Sequence, residues 1–600
     1  MSFLAGWVDS DISNQVAKAV CERMAAPIIR QTGAKITTSI TPFVSCVASD
    51  KGFINQDQCL LAVVGNSAVN PLQLQEIIRR YQTQGMDFIR SVKAPFALVL
   101  ADQANQTLVL ATDTIGQRHL YYAQTPHGLV FGSTADSVIA HPDVTTALSL
   151  QTLYDYVYFH HCPSPTTIYK AVYKLEGGQI LIYHAGKITV STYWMPQFSE
   201  QLEGSLEQAA NALQHKLQQA VKRLSSSAED TGAFLSGGLD SSSVAGALSQ
   251  VFPGRGQSFT MGFPVAGYDE TVYARMAGQH FKLHQHEYSL TPDEVVAAVP
   301  AIAVYYDEPF GNSSALAAYY CAKMAKDCGI KVLLAGDGGD ELFAGNERYA
   351  RQAVFESYHN IPRVLRSSLS GCLNALPRAL QKGLLFKAKR YVDQANTPLP
   401  DRLQDYNFLH RHAASEIFTD SFIAQIDTSK PLQSLRDSYH KLVDASALNR
   451  MLVMDWKTTL HDNDLVKVNK MCEMAGVAVQ YPLLDQAIID LSCRIPSDIK
   501  LKGQQLRWFY KYAMQDFLPT EIINKAKHGF GLPFGIWLKD HQPLKELAYD
   551  SISSLKQRGF FRPEFLDHTI TMHQSIHASY YGELIWVLMM LELWLQGKRY

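Results

Sequence analysis

The stretch Phe234-Leu235-Ser236-Gly237-Gly238-Leu239-Asp240-Ser241-Ser242-Ser243 decides how this chain is read. Upstream, Gly232-Ala-Phe-Leu235 is apolar throughout and predicts a short buried parallel strand. Downstream, the run from Ser243 to Val251 predicts a helix. The join between them is made of glycines and hydroxyls. Gly237 and Gly238 permit a tight turn and close backbone approach. Ser241 and Ser242 stand at the helix start, where free N–H groups and the helix dipole favour an anion. This is a phosphate cradle, but without the lysine that follows the glycines of the common nucleotide-binding loop. Asp240 adds a carboxylate where phosphates would crowd, an arrangement that makes sense when a divalent cation bridges them.

Working outward, the same strand–turn–helix pattern recurs. Ser258-Phe-Thr-Met-Gly-Phe263 reads as a second buried strand, and a helix opens near Tyr268-Asp-Glu270. Ile330-Lys-Val-Leu-Leu-Ala335 reads as a third strand, followed by Gly336-Asp337-Gly338-Gly339-Asp340-Glu341. Such turns collect at the carboxyl edge of an open parallel sheet, where ligands bind. Asp337 and Asp340 bracket two glycines, so both carboxylates can approach one ligand. Between these strands, Pro309 stops a helix, and Ser313 and Ser314 are placed to cap the next. Leu202 to Ser226 has helical periodicity, with Ala209, Leu213, Leu217 and Val221 on one face.

The residues before about 195 differ in texture. Phe96–Asp102 and Thr107–Thr112 flank a polar turn as a hairpin would, and Leu129–Gly132 and Gln179–Tyr183 are further short strands. At 600 residues the chain is too long for one core. A net charge of -2 gives no electrostatic reason to expect nucleic acid. The nine cysteines are scattered without metal-ligand spacing, which predicts reduced thiols and a cytoplasmic protein. The N-terminal residues lack a basic segment and a long apolar run, and no signal peptide is expected. The apolar run Ile585–Trp594 is short and carries Glu592, so it reads as a core helix rather than a membrane span. His160-His161-Cys162 suggests a metal at first sight. Adjacent histidines point to different sides of a regular element, and a structural role is expected for them. Arg378 to Arg390 is basic and amphipathic, and reads as a solvated helix face.

Ser236-Gly-Gly-Leu-Asp-Ser-Ser242 resembles the pyrophosphate loop of the ATP pyrophosphatases, and the whole chain resembles the glutamine-dependent asparagine synthetases and their relatives. Thr112-Asp-Thr-Ile-Gly-Gln-Arg-His-Leu-Tyr-Tyr122, Phe131-Gly-Ser-Thr-Ala-Asp136 and Leu175-Glu-Gly-Gly-Gln179 carry the likeness in the first part. Asp307-Glu-Pro-Phe-Gly-Asn-Ser-Ser314, Asp455-Trp-Lys-Thr-Thr-Leu-His-Asp-Asn-Asp-Leu-Val-Lys-Val-Asn-Lys-Met471 and Leu518–Trp537 carry it in the second. The resemblance implies an α/β protein with an α+β N-terminal sandwich. It implies that residues 1–197 form a degenerate Ntn-type glutaminase-like domain, and residues 198–600 an adenine-nucleotide α-hydrolase-like synthetase domain. It implies that ATP is held by Leu235, Ser236, Gly237, Gly238, Asp240, Ser241, Ser242, Met261, Ala335 and Gly336. Asp240 and Asp340 would carry Mg2+, and Asp337, Lys467 and Lys527 the catalysis. In such enzymes ATP is cleaved to AMP and pyrophosphate, a carboxylate is adenylated, and an amine captures it.

Two departures bear on the substrates. The family's N-terminal nucleophile is a cysteine after the initiator methionine, whereas Ser2 stands here, and the glutamine-binding Arg-Gly-Pro-Asp and Asn-Gly-Glu stretches are missing. A hydroxyl is a far weaker nucleophile than a thiol near neutral pH. The family's Glu-x-Arg-x-Pro is Ala478-Val-Gln480-Tyr-Pro482. Losing an acid and a base together puts aspartate in doubt as substrate. The relatives without glutaminase include lasso-peptide cyclases and β-lactam synthetases. Their likeness implies a small-molecule or peptide substrate bearing both carboxylate and amine, with a precursor-processing protease as partner in the peptide case. Ammonia-dependent asparagine formation and an idle scaffold are the alternatives.

Overall fold

The computed structural model describes the chain apart from residues 1–2, 9–13, 34, 50–51, 66–70, 94, 266, 360, 376–382, 405–406, 527–530 and 576–577. The N-terminal part is a sandwich of two six-stranded antiparallel sheets. The strands are β1 (Leu4–Val8), β2 (Ile36–Ile40), β3 (Val44–Ser49), β4 (Phe53–Gln56), β5 (Cys59–Val64), β6 (Ala97–Asp102), β7 (Thr107–Thr112), β8 (Tyr121–Thr125), β9 (Gly128–Gly132), β10 (Tyr173–Lys174), β11 (Gln179–His184) and β12 (Lys187–Thr192). One sheet runs β10-β8-β9-β1-β3-β2 and the other β12-β11-β7-β6-β5-β4. The expected hairpin is β6 against β7, with Ala97 opposite Thr112. Side chains of period two explain the layers. Leu4 and Val8 of β1, and Val99 and Ala101 of β6, fill the space between the sheets. Ala5 and Trp7 of β1 pack outward with the helix Asn14–Thr32, and Leu98 and Leu100 of β6 with the helix Pro71–Gln84.

The second part is built on a five-stranded parallel sheet of β13 (Thr231–Phe234), β14 (Gln257–Gly262), β15 (His284–Ser289), β16 (Val332–Leu334) and β17 (Ala478–Gln480), in the order β15-β14-β13-β16-β17. The chain builds outward from β13 to β15, then returns to place β16 on the other side of β13. The crevice at the carboxyl ends of β13 and β16 is therefore the topological switch point. The helix Leu206–Leu224 buries Ala209, Leu213, Leu217 and Val221 on the face its periodicity marks out. The helix after the glycine loop spans Leu239–Val251, starting four residues before the expected Ser243, with Gly238 as its N-cap. Ser241 and Ser242 thus lie inside its first turn. The helix Ala315–Asp327 has Ser314 as N-cap, but its hydroxyl caps nothing. Asn312 instead fixes the N-cap residue itself, its Oδ1 accepting from the Ser314 N–H at 3.1 Å and from the Ser314 hydroxyl at 2.6 Å.

The late apolar run lies in the helix Ala578–Gly597, with Trp586 and Trp594 fully buried, and Glu592 accepts from Arg558 Nη2 at 2.9 Å. No described helix is long and apolar enough to cross a membrane. Part of Arg378–Arg390 lies outside the described residues, and its remainder belongs to the helix Gly383–Asn396.

The two parts meet over a polar, largely buried seam. Lys174 pairs with Glu308 across it at 2.9 Å, and beside it, within the second part, Lys470 pairs with Asp307 at 3.0 Å. The Asp307-Glu308 pair that marks the sequence is thus a pair of buried counter-charges. Asn469 donates to the Gln117 carbonyl at 2.9 Å, and Thr114 to Gln486 at 2.8 Å.

Candidate active site

Gly237 needs the backbone that only glycine adopts freely, with φ at +71°. A Cβ there would also lie 2.4 Å from the Ala274 nitrogen. Across the turn, the Ser236 N–H donates to Ser241 Oγ at 3.2 Å, and the two hydroxyls lie 3.0 Å apart. The loop after β16 packs onto this one. A Cβ on Gly336 would meet the Ser241 nitrogen at 2.7 Å, and one on Gly339 would meet Asp240 Oδ1 at 2.1 Å. Both glycines are therefore required for contact between the loops, which brings Asp240 and Asp340 to one point.

These loops open into a cavity of about 1060 Å³. Leu235, Ser236, Gly238, Asp240, Ser241, Met261 and Gly336 line it, as do Asp337, Asp340 and Lys467. Gly237, Ser242 and Ala335 stand behind the lining. Ala335 is buried, its N–H bonded to the Gln480 carbonyl at 2.9 Å, and it serves the site by anchoring β16 to β17. Lys527 lies outside the described residues, and so does Ser2.

The structure adds residues that the sequence did not single out. Arg507, in left-handed backbone at the N-terminus of the helix Trp508–Met514, reaches both carboxylates. Its Nη1 donates to Asp240 Oδ2 at 2.8 Å, and its Nη2 pairs with Asp340. No local motif around Arg507 announces this, because it comes from a segment more than 150 residues beyond the Gly-Asp loop. Lys525 follows the short helix Thr520–Asn524 and lies 3.5 Å from the Gly237 carbonyl oxygen. It also pairs with Glu270 at 3.1 Å.

The residues fit a magnesium ion. Asp240 and Asp340 converge on a single guanidinium, so one cationic centre suits both. Asp240 Oδ1 is buried with no hydrogen-bond partner among the described residues, a cost that a bound cation would remove. When bound, the ion would neutralise charge on the phosphate chain.

On the other side of the cavity stand Asp337, Asp464 and Lys467. Lys467 Nζ pairs with Asp464 at 2.7 Å. Burial pushes the Asp337 carboxyl up to about 6, against the pull of Lys467. Burial alone would lower the Lys467 ammonium, but Asp464 and Asp337 outweigh it and hold the group above its usual range. A carboxyl that titrates near neutrality beside a fixed ammonium suits proton acceptance from an amine.

Gln480 is the residue that the sequence resemblance sets at the family's arginine. It turns away from the cavity, donating through Nε2 to the Gly65 carbonyl at 3.3 Å.

An asparagine synthase match covers residues 212–596, and a glutamine amidotransferase domain match covers residues 75–194. Fold and matches together define an ATP-dependent carbon–nitrogen ligase with an N-terminal amidotransferase-type sandwich. The chain belongs to the asparagine synthase family. It is 24% identical to asparagine synthetase [glutamine-hydrolyzing] 1 of Bacillus subtilis strain 168, over 86% of this chain and 79% of that protein. It is 28% identical to putative asparagine synthetase [glutamine-hydrolyzing] 2 of Methanocaldococcus jannaschii, over 48% of this chain and 57% of that protein. It is 22% identical to amidase chry2 of Gibberella zeae, over 81% of this chain and 76% of that protein.

Proposed function

We propose that the enzyme closes a macrolactam on a peptide, adenylating a carboxylate with ATP and joining it to an amine of the same molecule without hydrolysing glutamine. A carboxylate oxygen attacks the α-phosphorus and pyrophosphate leaves toward the Ser236–Ser242 loop, Asp240 and Asp340. The amine then attacks the acyl carbon, AMP leaves, and Asp337 accepts the amine's proton. Lys467 and Lys527 supply positive charge to the carboxyl and the α-phosphate. Reserving Asp240, Asp340, Asp337 and Lys467 for these roles rests on their convergence in one cavity.

The observation that carries the peptide reading is Gln480. A side chain bound to the N-terminal domain offers no charge to grip a free aspartate, and Ala478 offers none either. A cavity at the upper end of the size range of small-molecule sites also suits a larger substrate. The absence of the glutamine-binding stretches supports an amine drawn from the substrate.

The test is ATP–pyrophosphate exchange with free aspartate and with short peptides that carry an amino terminus and an acidic side chain, followed by mass measurement of products. Peptide-dependent exchange and a product lighter by one water are expected. Exchange driven by aspartate, with asparagine formed from ammonia, would replace this reading with ammonia-dependent asparagine synthesis. Glutamate release from glutamine would overturn the reading of the first domain.

A further inference from the structure

Away from the cavity, the domain seam brings together His119, from the turn before β8, and His461 and Asp462, from the loosely wound π-type turn Trp456–Asp464. One donor atom from each lies within 4.8 Å of the others. We propose that these three side chains form a zinc-type metal site that ties the two domains together.

The geometry is close to what such an ion needs. His461 Nε2 and Asp462 Oδ1 are 3.8 Å apart. Two ligands of a tetrahedral zinc with bonds of about 2.0–2.1 Å stand roughly 3.3 Å apart, so a small shift suits the His461–Asp462 pair and a larger turn of His119 closes the site. The His119 and His461 rings stack face to face at 4.4 Å, so the half-buried His119 ring must turn out of the stack to aim Nε2 at a shared ion.

The free atoms are the ones a metal would use. His119 Nε2, His461 Nε2 and Asp462 Oδ1 are all buried with no hydrogen-bond partner among the described residues. His461 and Asp462 are each only 1% exposed, so water does not readily supply what is missing. The remaining atoms are already engaged as metal ligands usually are. His461 Nδ1 lies 2.8 Å from the Gly116 carbonyl oxygen, which can only accept, so the proton sits on Nδ1 and the Nε2 lone pair is left open. Asp462 Oδ2 accepts from both the N–H and the hydroxyl of Ser164 at 3.0 Å, leaving Oδ1 open. Two imidazoles and a carboxylate are the donors of zinc-type sites rather than of magnesium.

The surrounding charges permit a dication. The nearest ammonium groups, Lys174 and Lys470, are each matched by a carboxylate, Glu308 and Asp307. Arg118 bonds the neutral Val479 carbonyl and Asn469, so one uncancelled positive charge remains near His119.

The test uses the untagged full chain, stripped with a chelator and titrated with Co2+, then Zn2+. Cys328 and Cys372, the exposed thiols, are replaced by serine throughout, because Cys328 beside His286 offers an unrelated zinc ligand pair. One Co2+ per chain with the intense visible absorption of a low-symmetry nitrogen–oxygen site is expected, displaced by one Zn2+, with a rise in melting temperature. His461→Gln and Asp462→Asn should each weaken binding by about 10-fold or more and abolish that rise. Zinc held equally tightly by both variants, or no metal bound at one per chain, overturns the proposal. Circular dichroism reports whether each variant folds. If the seam does not tolerate those changes, His119→Gln, on the less buried ligand, decides by the same spectrum.

Discussion

Arg507 donates to Asp240 across the switch-point crevice, Nη1 to Oδ2 at 2.8 Å, while its other nitrogen engages Asp340. A guanidinium thus stands between the two carboxylates that a magnesium–pyrophosphate would claim. In the free enzyme it prevents two half-buried carboxylates from repelling each other. Arg507→Gln should therefore destabilise the nucleotide-free protein by about 1–3 kcal/mol, less than the cost of breaking a fully buried ion pair because water reaches both carboxylates. Mg2+ with a non-hydrolysable ATP analogue should recover much of that loss. Urea unfolding with and without the nucleotide measures both. An unchanged midpoint in the nucleotide-free variant would show that the bridge carries no weight.

The metal assignment makes a separate demand. Asp240→Asn keeps the shape of the loop and its contact with Gly339 but removes the charge. Pyrophosphate release should fall to background while the protein stays folded. Release at the wild-type rate would remove Asp240 from the magnesium site.

Asp337 predicts a pH dependence. Its carboxyl is raised from 3.8 to about 6 by burial, so folding favours its protonated form. The stability this adds is full below about pH 4 and is lost as the pH rises through about 6. Catalysis needs the opposite form, because only the carboxylate can accept the amine's proton. The rate of amide formation should rise with pH through about 6. In Asp337→Asn that limb should vanish along with most of the activity, and the variant should be more stable than the parent at pH 8. An unchanged acid limb in the variant would assign the ionisation to another group.

Lys527 follows two residues after Lys525, which lies beside the Gly237 carbonyl and pairs with Glu270. We expect Lys527 to act on the transition state rather than to hold ATP. Lys527→Ala should lower kcat by roughly 10²-fold or more, with little change in KM for ATP. Lys527→Arg should restore little, since a planar fork replaces a compact charge. Fast chemistry with weakened ATP binding would make it a ground-state contact and pass the role to Lys467.

The sequence by itself determined the strands β6, β7, β9, β11, β13, β14 and β16 and the glycine loops after β13 and β16. Gly237, Asp240, Asp337 and Asp340 are legible because each sits in a strand–glycine–helix pattern, and that pattern is local. The alternation in β6 and β7 is legible for the same reason, since pleat and hairpin are set by neighbours in the chain. The start of the helix at Leu239 was not, because serines hide the apolar period that would mark it. Only the tertiary structure decided that Arg507 stands between Asp240 and Asp340, that the Ser314 hydroxyl caps nothing, and that Gln480 faces the other domain. It also decided which histidines meet. The adjacent pair His160-His161 draws the eye, yet His119 and His461 are the two that stack, brought together from opposite sides of the domain seam. Contacts between residues hundreds of positions apart are set by how buried surfaces fit, and no periodicity within one segment encodes that fit.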